Sequence, residues 1–319
     1  MAPKVVLVTG AGGYVGAHLA ARLAANPDIE RVLGVDTAPP ASSLLKAMGR
    51  AEFVRADIRN PLIAKVLSSA RVDTVVHAAT TANPPGPSRR TVIKEMNVIG
   101  TMQLLAACQR SPLVRNLVVK SSAAIYGAGA RVPAVCTEDM APKASSGYAK
   151  DAVEVEGYVR GFARRRPDVR VTVTRLTNMI GPGVDTVLTR YFALPVVPTV
   201  LGYDARVQLL HPEDALAVLE RATVADLPGV YNVGGDGVLS LSQAIRRAGK
   251  LPVPMPRAAL PAAGRVLKGV DFSDDQIQFL NYGRVVDTTR LKRDFGFEPK
   301  WSTRQAFDDF VHDKRRIDG

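Results

Sequence analysis

The chain has 319 residues, 46% hydrophobic and 23% charged, a soluble globular composition sized for about two domains; a disordered, collagen-like or disulfide-stapled chain is excluded. Its 42 Lys and Arg against 30 Asp and Glu leave a net charge of +12, which suits a nucleic acid, an anionic surface or a small substrate carrying phosphates. The only basic runs are Arg164-Arg165-Arg166 and Lys314-Arg315-Arg316, which read as solvated helix ends, and aromatics are only 6%, so no nucleic-acid partner is expected.

Short β-branched runs alternate with helical stretches from the start: strand Lys4 to Thr9, helix Tyr14 to Ala25, strands Val32 to Val35 and Phe53 to Ala56, helix Pro61 to Ser69, strand Thr74 to His77. Continuous apolar runs such as Val5-Val6-Leu7-Val8 suit a parallel sheet buried on both faces. Thr91 to Arg110 reads as one long helix, Leu117 to Lys120 as a strand, Ala149 to Arg166 as a second long helix and Val169 to Leu176 as a strand. The expected fold is therefore α/β, a doubly wound parallel sheet (Rossmann fold) over residues 1–178. After Asn178 prolines thicken and a smaller α/β substrate lobe, 179–319, is expected, with the run near 230–233 able to return to the first sheet and Leu251 to Pro261 serving as a proline-rich connector.

The two cysteines, Cys108 and Cys136, are too few for a disulfide framework and sit in no Cys/His cluster, so a reducing cytoplasmic location is expected and a metal site is not. His18 and His312 read as helix residues, His77 as part of a backbone motif and His211 as structural or substrate-facing. No segment approaches eighteen uninterrupted apolar residues, and no membrane span is expected.

Thr9-Gly10-Ala11-Gly12-Gly13-Tyr14-Val15-Gly16 follows a strand and opens a helix. In that context Gly10 permits the tight turn, Gly13 lets the backbone approach a pyrophosphate at the positive helix end, and Gly16 lets helix and sheet pack closely. Asp36 ends the next strand, 20 residues past Gly16, where a carboxylate bonds ribose hydroxyls and repels a 2′-phosphate. NAD is expected over NADP.

With these residues the chain resembles the extended short-chain dehydrogenase/reductase superfamily, and within it the NAD-dependent epimerase/dehydratase family typified by UDP-galactose 4-epimerases. The likeness runs nearly end to end: Asp57-Ile58, His77-Ala78-Ala79-Thr80, Asn97-Val98-Ile99-Gly100-Thr101, Ser121-Ser122-Ala123-Ala124-Ile125-Tyr126-Gly127, Arg175-Leu176-Thr177-Asn178 with Gly181-Pro182, Leu210-His211-Pro212-Glu213-Asp214, Asp287-Thr288-Thr289-Arg290 and Phe295-Gly296-Phe297-Glu298-Pro299 follow in the family's order. The resemblance implies that Asp57 and Ile58 hold the adenine. It implies further that Ala78, Ala79, Thr80 and Asn97 line the cofactor with Gly10, Gly13, Tyr14, Val15 and Gly16, and that Ser122 bonds the reacting sugar oxygen. Asn178 and Arg206, the latter one residue from its expected slot, together with Arg284, are implied at the diphosphate of a nucleotide sugar. It also implies a homodimer built on the two long helices.

The family's Tyr-x-x-x-Lys is broken. The chain reads Ser145-Ser146-Gly147-Tyr148-Ala149-Lys150-Asp151-Ala152: Tyr148 is followed four residues on by Ala152, and Lys150 is preceded four residues back by Ser146. Either the tyrosine is in place and the lysine is lost, or the reverse. Tyr148 lies 27 residues before Arg175 and 30 before Asn178, which matches the family's tyrosine. Lys150 then sits about 200° around a regular helix from Tyr148, and only an irregular first turn near Gly147 would bring the two together. A phenol without a nearby cation stays near pKa 10 and is a weak base at neutral pH. Three functions follow: a nucleotide-sugar epimerase-like oxidoreductase using Tyr148, Ser122 and Lys150; a silent NAD-binding regulatory protein; or a reductase or dehydrogenase of another small alcohol.

Overall fold

The computed structural model describes residues 3–80, 90–144, 147–267, 270 and 272–318. In chain order the elements are β1 (Val5–Thr9), α1 (Tyr14–Ala25), β2 (Arg31–Asp36), α2 (Ser42–Ala47), β3 (Glu52–Arg55), α3 (Ile63–Ser69), β4 (Thr74–His77), α4 (Arg90–Lys94), α5 (Gly100–Arg110), β5 (Asn116–Ser122), α6 (Gly147–Arg165), β6 (Arg170–Leu176), β7 (Asn178–Met179) and α7 (Val187–Ala193). They continue with β8 (Val196–Val200), β9 (Arg206–Val207), β10 (Leu209–Leu210), α8 (Pro212–Val224), β11 (Gly229–Val233), β12 (Leu239–Ser240), α9 (Leu241–Arg247), β13 (Leu251–Met255), α10 (Leu260–Val266), α11 (Asp274–Tyr282), β14 (Gly283–Arg284), α12 (Thr289–Arg293) and α13 (Thr303–Asp318).

Seven strands form one parallel sheet in the order β11-β6-β5-β4-β1-β2-β3. Its strands bury both faces: Val6, Val8 and Val118 pack with α1 and α8 residues on one side, and Leu7, Leu117 and Val119 with α3, α5 and α6 residues on the other. That two-sided burial is why β1 and β5 read as unbroken apolar runs. The order reverses between β1 and β4, so the crevice beyond their carboxyl ends is the place for a ligand.

Past Asn178 the chain serves two cores. Leu216 and Leu219 of α8 and Tyr231 and Val233 of β11 pack with the seven-stranded sheet, whereas Tyr191, Phe192, Phe272, Phe307 and Phe310 build a separate aromatic core under short strands β8, β9 and β13. The segment expected as a mere connector contains β13, paired in parallel with β8 from Leu251↔Val196 to Met255↔Val200. Pro252 and Pro254 are compatible with this strand because they lie two apart on an edge, where both missing N–H groups fall on the unpaired side.

The helix expected as one piece from Thr91 to Arg110 carries a π-helical turn, Glu95–Ile99, between α4 and α5. Asn97 is buried in that turn and its carbonyl accepts from the Thr101 hydroxyl, while Gly100 lies so close to Ile58 that an added Cβ would come within 2.8 Å of it. Polar bonding inside the turn and close helix packing replace the regular spiral there.

Candidate active site

The glycine loop joins β1 to α1 with Gly10 at φ +78 and its amide donating to Val35 O at 2.9 Å. A Cβ on Gly10 would lie 2.7 Å from Ala79 Cα, which sets the loop directly against the segment after β4. Gly13 caps α1 with no side-chain bond to the first turn, leaving that turn's amides for another acceptor. Val15 is at the edge of the core, and the Tyr14 ring packs on His18 with ring centroids 4.1 Å apart and the planes tilted by 38°. Asp36, at the end of β2, accepts from Gly12 N at 2.9 Å and Thr37 N at 2.7 Å, so its carboxylate stands beside the loop.

On the far side of the crevice Ala78 and Thr80 are buried and Ala79 N donates to Thr9 Oγ1 at 3.3 Å. His77 is held between Thr9 Oγ1 and Thr101 Oγ1, both at 2.8 Å, and burial pushes its pKa down to about 4; it is a neutral structural residue. Asp57 is bound by the Arg59 guanidinium at 2.7 Å, which lowers its carboxyl pKa, and Ile58 is packed into the core against α5. His211 caps α8, stacks on Trp301 at 4.0 Å and meets Asp309 at 3.1 Å, so its role is structural.

Tyr148 enters from the first turn of α6, and its half-buried phenol is hydrogen-bonded to the side chains of Ser122 and Thr80. Ser122 ends β5 and also accepts from Ala124 N at 3.1 Å, which fixes its rotamer. Burial pushes the Tyr148 phenol up to about 12, above the value near 10 expected for a phenol that merely lacks a cation; the Thr80 and Ser122 bonds pull it down, and Asp151 and Glu156 on the same helix push it up further. α6 is helical from Gly147, so no irregular turn rescues the expected pair: Lys150 is exposed, Ala152 is buried, and Ser146 of the alternative register lies outside the described residues. Behind the site Glu156 takes Arg175 in a bidentate pair, at 3.0 and 2.7 Å, and accepts Ser121 Oγ at 2.6 Å, tying α6 to β5 and β6.

Asn178, on β7, lines a narrow space with Ser122, Ala124, Gln208 and Arg284, and the buried Thr177 hydroxyl next to it has no hydrogen-bond partner among the described residues. Beyond lies a cavity of about 380 Å³ whose walls include Arg206, Tyr282, Arg284 and Cys136. β9 pairs with β14 at Gly283↔Arg206 and Arg284↔Val207, so the two arginines stand one step out of register on neighbouring strands, and both line this cavity. Arg284 donates to Gly127 O at 2.8 Å, and burial lowers its guanidinium to about 10, still charged at neutral pH. Sequence reasoning overlooked Lys120, whose Nζ donates to Thr80 O at 2.6 Å; a lysine directly after the apolar run Leu117-Val118-Val119, within the same strand, was the signal.

The NAD dependent epimerase/dehydratase family profile matches residues 6–234. The chain belongs to this family. The family's NAD dependence makes NAD the cofactor, and the residues fit it: a Cβ at Gly13 would meet only Gly10 O at 3.6 Å, so the glycine is not imposed by the protein's own packing and leaves a cradle for phosphate, with Asp36 placed for ribose hydroxyls. An uncharacterised protein of Mycobacterium tuberculosis is 53% identical over 313 residues, covering 97% of this chain and 83% of its own. UDP-glucose 4-epimerase 3 of Oryza sativa subsp. japonica is 30% identical over 191 residues, covering 55% and 49%. In fold, the chain matches the UDP-glucose 4-epimerase of Thermotoga maritima, solved with UDP-glucose, at a TM-score of 0.78 and 22% identity over 99% of this chain and 100% of that one. It matches UDP-glucuronic acid 4-epimerase of Bacillus cereus, solved with NAD, at 0.75 and 19% over 98% and 99%. Among the described residues no helix is long and apolar enough to cross a membrane, and no His/Cys/Asp/Glu cluster could hold a metal.

Proposed function

We propose that the protein is a nucleotide-sugar epimerase: it oxidises one hydroxyl of a sugar carried on a nucleoside diphosphate and restores the hydrogen on the other face, with no net redox change. The observation that carries the reading is the corner where the Tyr148 phenol meets Ser122 and Thr80, with Asn178, Arg206 and Arg284 beyond it. Bound NAD supplies the hydride acceptor and returns the hydride. Ser122 orients the sugar hydroxyl and Tyr148 holds its proton. Asn178 and the unpartnered Thr177 hydroxyl offer polar contacts, and the charges of Arg206 and Arg284 suit two phosphates. A cavity of about 380 Å³ is of small-molecule size, and the net charge of +12 draws an anionic substrate. The solved relatives bound to UDP-glucose and NAD support the same class of ligands. The protein acts in the cytoplasm as a homodimer.

A phenol raised to about 12 is ionised to only about one part in a hundred thousand at pH 7. Exchange between UDP-glucose and UDP-galactose, measured with saturating NAD, should therefore be slow at pH 7 and rise severalfold to tenfold per unit toward pH 9. Tyr148→Phe should lose at least about 100-fold, and Ala152→Lys, which sets an ammonium on the tyrosine's face of α6, should move the profile to lower pH. A second reading, an NAD-binding regulatory protein, is favoured by the exposed Lys150 and the buried Ala152. It gains if wild type and Ala152→Lys both hold NAD and both stay inert across a panel of UDP- and dTDP-sugars.

A further inference from the structure

Helix α6 brings no cation to the Tyr148 corner, since Lys150 is exposed and position 152 is alanine. Strand β5 brings one. Lys120 stands two residues before Ser122, so the two side chains leave the same face of the sheet, the face that Val118 buries against α1 and α8. Those helices present Leu19, Leu23, Leu216 and Leu219 on that face, and the Lys120 head is at the carboxyl edge, where it reaches the segment after β4. At that edge Lys120 and Thr80 are cross-bonded: Nζ donates to Thr80 O at 2.6 Å, and Thr80 Oγ1 donates to Lys120 O at 2.9 Å. The Thr80 side chain is also bonded to the Tyr148 phenol, so one residue joins the lysine to the catalytic corner. Thr80 follows β4 at the reversal of strand order, one residue from the Ala79 that abuts Gly10, so the ammonium lies at the ligand crevice.

We propose that Lys120 is the cation of this site, a binding residue that faces the nicotinamide half of the cofactor from β5 and favours its neutral, reduced form over its positively charged, oxidised form. The proposal rests on the NAD site described above. Its physical basis is simple: an ammonium repels a cationic ring and tolerates a neutral one, so it biases the bound cofactor toward accepting hydride. No carboxylate is bonded to Lys120 among the described residues to cancel that charge. Near it His77 on β4 is neutral, and across the sheet Arg175 on β6 and Glu156 on α6 are paired with each other; on its own face α1 carries His18 and Arg22, the latter paired with Glu213 of α8, and Asp214 of α8 is bonded to the Lys300 and Trp301 amides, while Tyr148 and Asp151 come from α6. Burial lowers the Lys120 ammonium to about 8, so it is charged at neutral pH and loses its proton over the range an assay can reach.

The test is the ratio of NAD to NADH dissociation constants, with NADH followed by its fluorescence and NAD by competition, on the full-length protein between pH 7 and 9.5. Contacts common to both forms cancel in the ratio. Wild type should favour NADH at pH 7 and lose that preference as pH rises past about 8, because the ammonium present below its pKa is lost above it. Lys120→Met should lower the preference about tenfold at pH 7 and abolish its pH dependence. Lys120→Arg should keep the preference and make it flat with pH. Ala152→Lys added to Lys120→Met should restore it, which repair of a purely structural defect would not do. A wild-type ratio that does not change with pH, or a Lys120→Met ratio equal to wild type, overturns the proposal while leaving the NAD site standing. Failure of wild type to bind either form at millimolar concentration overturns both.

Discussion

At Gly13 an added methyl would make only an ordinary contact with the Gly10 carbonyl oxygen at 3.6 Å, whereas at Gly16 it would run into that same oxygen. Gly16 is therefore required by the packing of α1 on the loop backbone at Gly10 and Ala11, whereas packing does not require Gly13, and on the reading proposed above the ligand does. Gly13→Ala should fold, with a stability loss under about 1 kcal/mol from its poorer helix cap, yet bind NAD at least about tenfold more weakly. Gly16→Ala should lower the melting temperature by several degrees, since the collision is with backbone that cannot swing aside. Calorimetric melts paired with NAD titrations separate the two; equal loss of stability in both variants would contradict the division. The same residue-level reading explains Asp57. Its order in the chain suggested an adenine contact, but no spacing rule announces that Arg59, two residues on, closes over it at 2.7 Å.

Among the elements, β1, α1, β2, β4 and β5 were legible because burial on both faces and a glycine loop leave continuous apolar runs and a break at a fixed place. The strand inside Leu251 to Pro261 was not, since its prolines are tolerated only by the edge position that β8 gives it. Nor was the π-helical turn at Asn97, which comes from polar bonding within the turn and the approach of Ile58 to Gly100, a contact between distant parts of the chain. For the proposed catalytic corner, residue order pointed to Ser122 and Tyr148, whose side chains are hydrogen-bonded. Lys120 was missed because a search built on helix spacing does not look for a cation on a strand. What holds α6 so that Tyr148 reaches Ser122 is the Glu156–Arg175 pair, with side chains 3% and 5% exposed. Glu156→Ala leaves that guanidinium buried without its carboxylate, although Tyr126 Oη and Glu138 O still accept from it. The expected cost is about 3 to 5 kcal/mol in urea unfolding, and a loss below 1 kcal/mol would show that the pair is dispensable to the fold.

For the described residues as a whole, the sheet and the aromatic second core bury most of the large apolar side chains, yet the surface beside α4 to α6 keeps several in water. Val92, Ile99, Met102 and Tyr158 are 50%, 43%, 40% and 39% exposed, on helices that pack side by side and are linked by the Lys94–Glu154 ion pair. Apolar residues scattered singly need no explanation, but a group on adjacent helices is what a subunit interface leaves when one copy is viewed alone. Pairing α5 and α6 of two copies about a twofold axis would cover all of them and would stiffen the helix that carries Tyr148. Light scattering at micromolar concentration should accordingly give twice the 34.1 kDa of one chain. Charge placed at the centre of that surface, Met102→Glu with Tyr158→Glu, should return a single-chain mass without lowering the helical signal, because both positions face solvent within the protomer. A 34.1 kDa species from the unmodified protein at that concentration would mean that these side chains serve no self-association.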